Sequence, residues 1–258
     1  FEGVAAEPVP SLLRGFSAPV ILELDEDDAR LAFRMAHDAD PCNRWDAAQR
    51  YAERVVLAMA ADAATPVPDA FVAAFRALLG DGALDPAFRA QALALPGEAY
   101  LLERMAPADP LALRAALARL TRTLGERLAA DWLALFDAMQ VQGEYRYHPA
   151  DAGRRALANL ALRYLAAAGH AEGLARAQAR FEAATNMTER FGALAALVQS
   201  TDPAREAALE AFHTRYRDDA LVLDKWFALQ AGAWRWDAAA VPTLERVKAL
   251  MADPAFSL

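Results

Sequence analysis

Asn43-Arg44-Trp45-Asp46-Ala47-Ala48-Gln49 reads as the start of a helix. Asn43 is a good N-cap, because its side-chain oxygen can take one of the unpaired N–H groups of a first turn. Asp46, three residues on, can reach back as in a capping box, although that box prefers Glu or Gln. Its carboxylate also suits the positive end of the helix dipole. Trp45, Ala48, Ala52, Val55, Val56 and Met59 follow at helical spacing. The pattern predicts a long helix that ends near Thr65-Pro66, with Trp45 buried as its apolar anchor. Read plainly, it is a well-capped core helix.

The same grammar extends outward. Asp85-Pro86, Asp109-Pro110 and Asp202-Pro203 each read as an N-cap followed by proline at the first helical position. Asp40-Pro41 lies just upstream of the Asn43 cap. Helices are expected near 69–79, 86–94, 98–105, 110–140, 150–168, 171–184, 187–200, 203–216, 219–231 and 240–251. In the longest, Leu113, Leu117, Leu120, Leu124, Leu128, Trp132, Leu135 and Met139 keep a three-to-four spacing, which predicts one continuous helix through the centre. Gly169 and Gly232 sit at expected helix ends, and Asn186 to Glu189 fits a capping box.

Upstream, Pro8, Pro10 and Pro19 exclude a regular helix from residues 1–24. Val20-Ile21-Leu22-Glu23-Leu24 reads as the last strand of a preceding sheet or as a linker laid over the helices. Asp25-Glu26-Asp27-Asp28 suits the first turn of a short helix through Leu31, Phe33, Met35 and Ala36 better than it suits a metal. The expected fold is therefore all-α: an α-solenoid of stacked, armadillo/HEAT-like helical hairpins, preceded by a short β-strand or linker tail. Residues 1–24 form the tail and 25–258 the helical domain, with no strict sequence period.

Composition narrows the function. A chain of 258 residues with 56% hydrophobic content, much of it alanine, favours helix and a sizeable core. The net charge of −8 argues against nucleic acid as a partner. No apolar run approaches the length of a membrane span, and no signal-peptide pattern opens the chain, so a cytoplasmic location is expected. Cys42 is the only cysteine, which excludes an internal disulfide and a cysteine zinc cage. It is expected to be a small buried or half-buried thiol.

No constellation in the chain carries catalysis. His37, His148, His170 and His213 include no pair four apart, and no nucleophile elbow, Walker loop or dinucleotide fingerprint is present. His148 and Asp151 are read as two polar residues at a turn, and His170 as a helix-end residue. Trp226, Phe227, Trp234 and Trp236 are expected to pack the core, Trp234 and Trp236 straddling a turn. Arg154, Arg155 and Arg163 form a basic stripe expected to pair with carboxylates. Catalytic, cofactor-binding and metal-ligating residues are thus all expected to be none.

Several blocks, taken in order, resemble one family. Pro8-Val9-Pro10-Ser11-Leu12-Leu13-Arg14 and Phe16-Ser17-Ala18-Pro19-Val20 resemble the end of the β-sandwich domain of the bacterial aminopeptidase N family of zinc metallopeptidases. Asn43 to Gln49 resembles the opening of its C-terminal helical domain, and Leu120-Thr121-Arg122-Thr123-Leu124 its long central helix. Asn186-Met187-Thr188 and Asp224-Lys225-Trp226-Phe227, followed by Leu229-Gln230, are similar to later blocks. The resemblance implies a superhelical array that covers the active-site cavity of a peptidase. It excludes large substrates and bulk water.

The resemblance also implies what the chain lacks. The family's His-Glu-x-x-His helix, its further glutamate ligand and its Gly-Ala-Met-Glu-Asn motif have no counterpart here, so zinc is expected in the parent and not in this chain. The implied partners are the catalytic and β-sandwich domains of the same polypeptide and the parent's peptide substrates, with neither nucleic acid nor membrane. The family continues past the position of Leu258 with an Asn-Pro-Asn-Arg block and more helices, which implies a truncated domain. Val241, Leu244, Val247, Leu250 and Met251 would then form an uncovered face open to self-association. The alternative reading is a free-standing α-solenoid that binds another protein along its concave face.

Overall fold

Asp27, Asp40, Asp85, Asp109 and Asp219 each cap the start of a helix. The structure, a computed structural model, describes residues 3–5, 7–15, 20–233 and 243–256. The helices are α1 (Asp28–His37), α2 (Pro41–Ala61), α3 (Asp69–Gly80), α4 (Pro86–Ala92), α5 (Glu98–Glu103), α6 (Pro110–Arg127), α7 (Ala129–Ala138), α8 (Pro149–Ala167), α9 (Ala171–Ala183), α10 (Met187–Val198), α11 (Ala204–Tyr216), α12 (Ala220–Ala231) and α13 (Thr243–Met251). The Asp85 and Asp109 carboxylates each accept two first-turn N–H groups, with proline in the position that has no N–H to satisfy. Asn186 caps α10 by accepting from Glu189 N at 3.0 Å.

The start of α2 differs from expectation. Asp40 is its N-cap and accepts from Asn43 N at 3.0 Å. Proline at the first helical position fixes φ in advance, so the helix begins two residues before Asn43. Asn43 is buried instead: its Nδ2 donates to Ser11 Oγ, and its Oδ1 accepts from Arg34. Trp45 is 44% exposed, not an anchor. The buried face runs through Arg44, Ala47, Ala48, Tyr51, Val55 and Met59, and leaves Trp45 on the flank.

α2, α6, α8, α10 and α12 lie side by side in one layer, with α4 across α8 and α2. α1, α3, α7, α9 and α11 back them in a second layer. At the centre Trp132 stacks on Tyr164 (4.4 Å between centroids, 11° between planes), with Phe75 edge-on to both. Both polar tips are satisfied: Tyr164 Oη donates to Leu93 O and Trp132 Nε1 to Leu124 O. Gly125 lets α6 press on α8, because a Cβ there would stand 2.2 Å from the Tyr164 carbonyl.

The expected continuous helix over 110–140 breaks at Leu128 (φ −118°, ψ 20°). Regular apolar spacing is compatible with either form, and packing decides it. α6 lies on α2 and α8, whereas α7 turns onto α8 and α3.

Arginines close the hairpins. Arg44 on α2 donates to Met35 O and Ala36 O at the end of α1, and Arg89 on α4 to Leu79 O of α3. Arg154 on α8 reaches Ala138 O and Gln140 O after α7, Arg190 on α10 reaches Ala184 O after α9, and Arg205 on α11 reaches Ser200 O after α10. Arg119, Arg76 and Arg114 do the same for α2, α6 and α12 across the array. A helix end has unpaired carbonyls and partial negative charge, and a guanidinium supplies several donors and a fixed positive charge to it.

The N-terminal segment is a strap. Among the described residues none forms a strand, and Ile21 in the expected strand Val20–Leu24 is 93% exposed. Glu26 is buried between Arg34 and Arg50, both at 2.9 Å, and Ser11 Oγ donates to Asp38. The polar knot thus holds the linker against α1 and α2.

Candidate functional site

The residues picked out by sequence disperse in the structure. His37 is exposed beside Phe33, His213 lies against Trp226, and His170 caps α9 by accepting from Gly173 N. His148 is the N-cap of α8 and makes no side-chain capping bond. Asp151 pairs not with His148 but with Arg146 at 3.0 Å, whose hydrogen bond holds its carboxyl below the usual range. Among the described residues no group of three His, Cys, Asp or Glu could hold a metal ion. Cys42 is exposed rather than half-buried, because it falls on the outer side of the first turn of α2.

Trp226 and Phe227 are buried, as expected of core residues, and Trp226 Nε1 donates to Leu209 O. Trp234 and Trp236 lie outside the described residues. Asp27 caps α1 by accepting from Arg30 N, so the acidic run there serves the helix start. Glu189 completes only half of a capping box, since its carboxylate turns to Arg155 at 3.1 Å and Arg180 at 3.4 Å.

The basic stripe divides three ways. Arg155 is buried in that pair with Glu189, and Arg154 caps α7. Arg163 is exposed on α8. Among the described residues it is the one arginine with no hydrogen bond, ion pair or ring contact, against the expectation that the stripe pairs with carboxylates.

Arg163 stands where two clefts meet. The first, about 400 Å³, lies between the α4–α5 loop, α6, α8 and the ends of α10 and α12. Its polar lining includes Glu98, Arg114, Thr121, Arg163 and Gln199. Glu98 and Arg114 pair with each other at 3.3 Å, which neutralises that end. The second cleft, about 510 Å³, lies between α4, α8 and α10, and its floor includes Ala156, Gly192, Ala195 and Ala196. Arg163 and Gln199 line both clefts. The sequence signal that could have found this site is weak: one arginine three to four residues from alanines on a helix face.

A third cleft, about 400 Å³, lies between α12 and α13 and is almost wholly apolar, with Phe227, Leu250 and Phe256 in its wall. Leu250 is buried and Val247 half-buried, so the face of α13 expected to be uncovered turns largely onto α12. Leu244 and Met251 remain exposed at 62% and 56%, and Val241 lies outside the described residues.

The chain is 41% identical over 257 residues to aminopeptidase N of Caulobacter vibrioides and 36% identical over 262 residues to that of Escherichia coli. These alignments take in 99% and 100% of the chain, and it spans 29% of each relative's length. A crystal structure of Legionella pneumophila aminopeptidase A in complex with aspartic acid superposes with a TM-score of 0.81 at 27% identity, over 100% of this chain and 31% of that one. The family profile "Domain of unknown function (DUF3458_C) ARM repeats" matches residues 28–258, and the chain belongs to that family of ARM-repeat domains.

Proposed function

We propose that this chain is the C-terminal helical domain of a zinc-dependent aminopeptidase N, which removes N-terminal residues from peptides. Its role there is to cover and enclose the active-site cavity. Similarity over the whole chain to less than a third of aminopeptidase N supports this reading over a free-standing scaffold. Among the described residues no donor set fits zinc, and on this reading the metal and the catalytic groups lie in the other domains of the parent. The helical layers then supply a wall that limits substrate size and excludes bulk water. The exposed Ile21, Phe33 and Trp45, beside the strap on α1 and α2, suit contact with those domains. The single cysteine fits a reducing compartment, and we assign the parent to the cytoplasm.

The test compares the purified chain with the complete parent. The chain is expected to hold no stoichiometric zinc and to release no p-nitroaniline from alanyl-p-nitroanilide. The parent is expected to hold zinc, to turn that substrate over, and to cleave a free tetrapeptide much faster than the same residues at the N-terminus of a folded protein. Turnover by the chain alone, or an inactive zinc-free parent, would refute the proposal.

A further inference from the structure

Most arginines among the described residues are engaged by the fold. Arg44, Arg76, Arg89, Arg119, Arg154, Arg190 and Arg205 close helix ends, and Arg34, Arg50 and Arg155 neutralise carboxylates. Arg163 does neither, although it lines a cleft that also holds Glu98. Glu98, the acid in the same cleft, is held by Arg114, whose other donor goes to Gly232 O. The cleft therefore presents one uncompensated positive charge.

We propose that this cleft is a carboxylate subsite for peptides, in which the Arg163 guanidinium pairs with a free carboxylate and Gln199 lies beside it. The chemistry of the pocket selects the ligand. A lone planar fork matches a carboxylate bidentately. A polyanion would meet a single cation on a chain of net charge −8, which disfavours nucleic acid. The recess extends to both sides of Arg163, about 400 Å³ on one side and 510 Å³ on the other, so a ligand anchored by its carboxylate has room for several further residues. Ala118, Ala156 and Ala195 in its lining carry nothing beyond a methyl group, so a main chain can lie close there. The choice of a peptide as the bearer of the carboxylate rests on the aminopeptidase reading; the carboxylate itself does not.

The two sources of a carboxylate, a chain end and an acidic side chain, are separable. Titration calorimetry on this 258-residue chain uses tetra-alanine as the free acid, tetra-alanine amide, and Ala-Ala-Glu-Ala amide. The free acid is expected to bind at least tenfold more tightly than the amide. Recovery of binding by the glutamate peptide would assign the site to carboxylates in general, and its failure to bind would assign it to chain ends. Arg163→Gln, at an exposed helix position, is expected to leave the thermal midpoint unchanged and to remove the difference between acid and amide. Equal binding of acid and amide by the unaltered chain, no binding of the acid at 10 mM (roughly the weakest affinity calorimetry reads), or an Arg163→Gln variant that still discriminates would overturn the proposal. So would a parent in which Arg163→Gln lowers the thermal midpoint by several degrees with acid–amide discrimination intact, which would make Arg163 a contact to another domain. If the chain binds the acid through Arg163 while the complete parent shows no aminopeptidase turnover, the enzyme reading fails and the subsite stands.

Discussion

Arg44→Ala is expected to be among the most damaging single changes outside the apolar core. The side chain is 5% exposed and makes three hydrogen bonds: Nε to Met35 O at 2.9 Å, Nη2 to Ala36 O at 2.7 Å and Nη1 to Asp81 Oδ2 at 2.8 Å. One group thus joins the end of α1, the start of α2 and the end of α3. A hydrogen bond to a charged group contributes about 1.5–3 kcal/mol, but three on one side chain do not add. Truncation leaves two carbonyls without their donor at about 1–3 kcal/mol each, less than additively, while the Asp81 carboxylate, 29% exposed, can turn to water. With a urea m-value of about 2–3 kcal/mol/M, the midpoint should fall by on the order of 1–2 M. Arg44→Lys keeps the charge and loses the fork, and should fall between the two.

The same site supplies an internal check through pH. The hydrogen bond from Arg44 holds the Asp81 carboxyl below its ordinary value of 3.8. A depressed folded-state pKa means that the unfolded chain binds more protons, so this contribution is present above 3.8 and lost as pH falls through the folded value. The difference between the unaltered chain and Arg44→Ala should therefore shrink between pH 6 and pH 3. In the Arg44→Ala background, Asp81→Asn should cost almost nothing further. The assay is urea unfolding followed by far-ultraviolet circular dichroism, with Arg215→Ala as an exposed control. If Arg44→Ala cost no more than that control, or if its cost were the same at both pH values, the view of arginines as closures of the hairpins would be wrong.

Trp45→Ala should change stability by no more than about 0.5–1 kcal/mol, since the side chain is half-exposed, whereas Trp132→Ala in the aromatic centre should cost about 3–5 kcal/mol by the same urea assay. Tyr164 is buried and burial pushes its phenol well above the ordinary 10.0, so the stability it contributes is present below pH 10 and lost as pH rises beyond it. Alkaline unfolding should therefore begin near pH 10 and be milder in Tyr164→Phe, which should also lose about 1 kcal/mol at neutral pH with its hydrogen bond to Leu93. Light scattering across a concentration series should show self-association through Leu244 and Met251, relieved by Leu244→Glu with Met251→Lys; a constant monomer mass in both proteins would exclude it.

The alternation of capped helix and short turn was readable from local chemistry. Asp85-Pro86 and Asp109-Pro110 (but not Asp202-Pro203, where α11 starts one residue later, at Ala204), Gly169 in the left-handed region at φ +64° and the three-to-four apolar spacing act within one or two turns of chain, where sequence distance equals spatial distance. That is enough to specify an all-α array, and the ordered blocks pointed to its family. A further local signal went unread: Asp40-Pro41-Cys42-Asn43-Arg44, Asp85-Pro86-Ala87-Phe88-Arg89 and Asn186-Met187-Thr188-Glu189-Arg190 each place an arginine four residues after the cap. Spacing shows that these arginines share a position. Only the fold shows that the position faces the end of the preceding helix. Tertiary contacts decided the rest, because they join residues that sequence cannot rank by distance. They moved the α2 cap to Asp40, turned Trp45 outward, broke the central helix at Leu128 and buried the charges of the strap. They also left Arg163 as the one arginine, among the described residues, without a partner. A charge is visible in any sequence, but its compensation depends on which carbonyls and carboxylates the folded chain brings within about 4 Å of it.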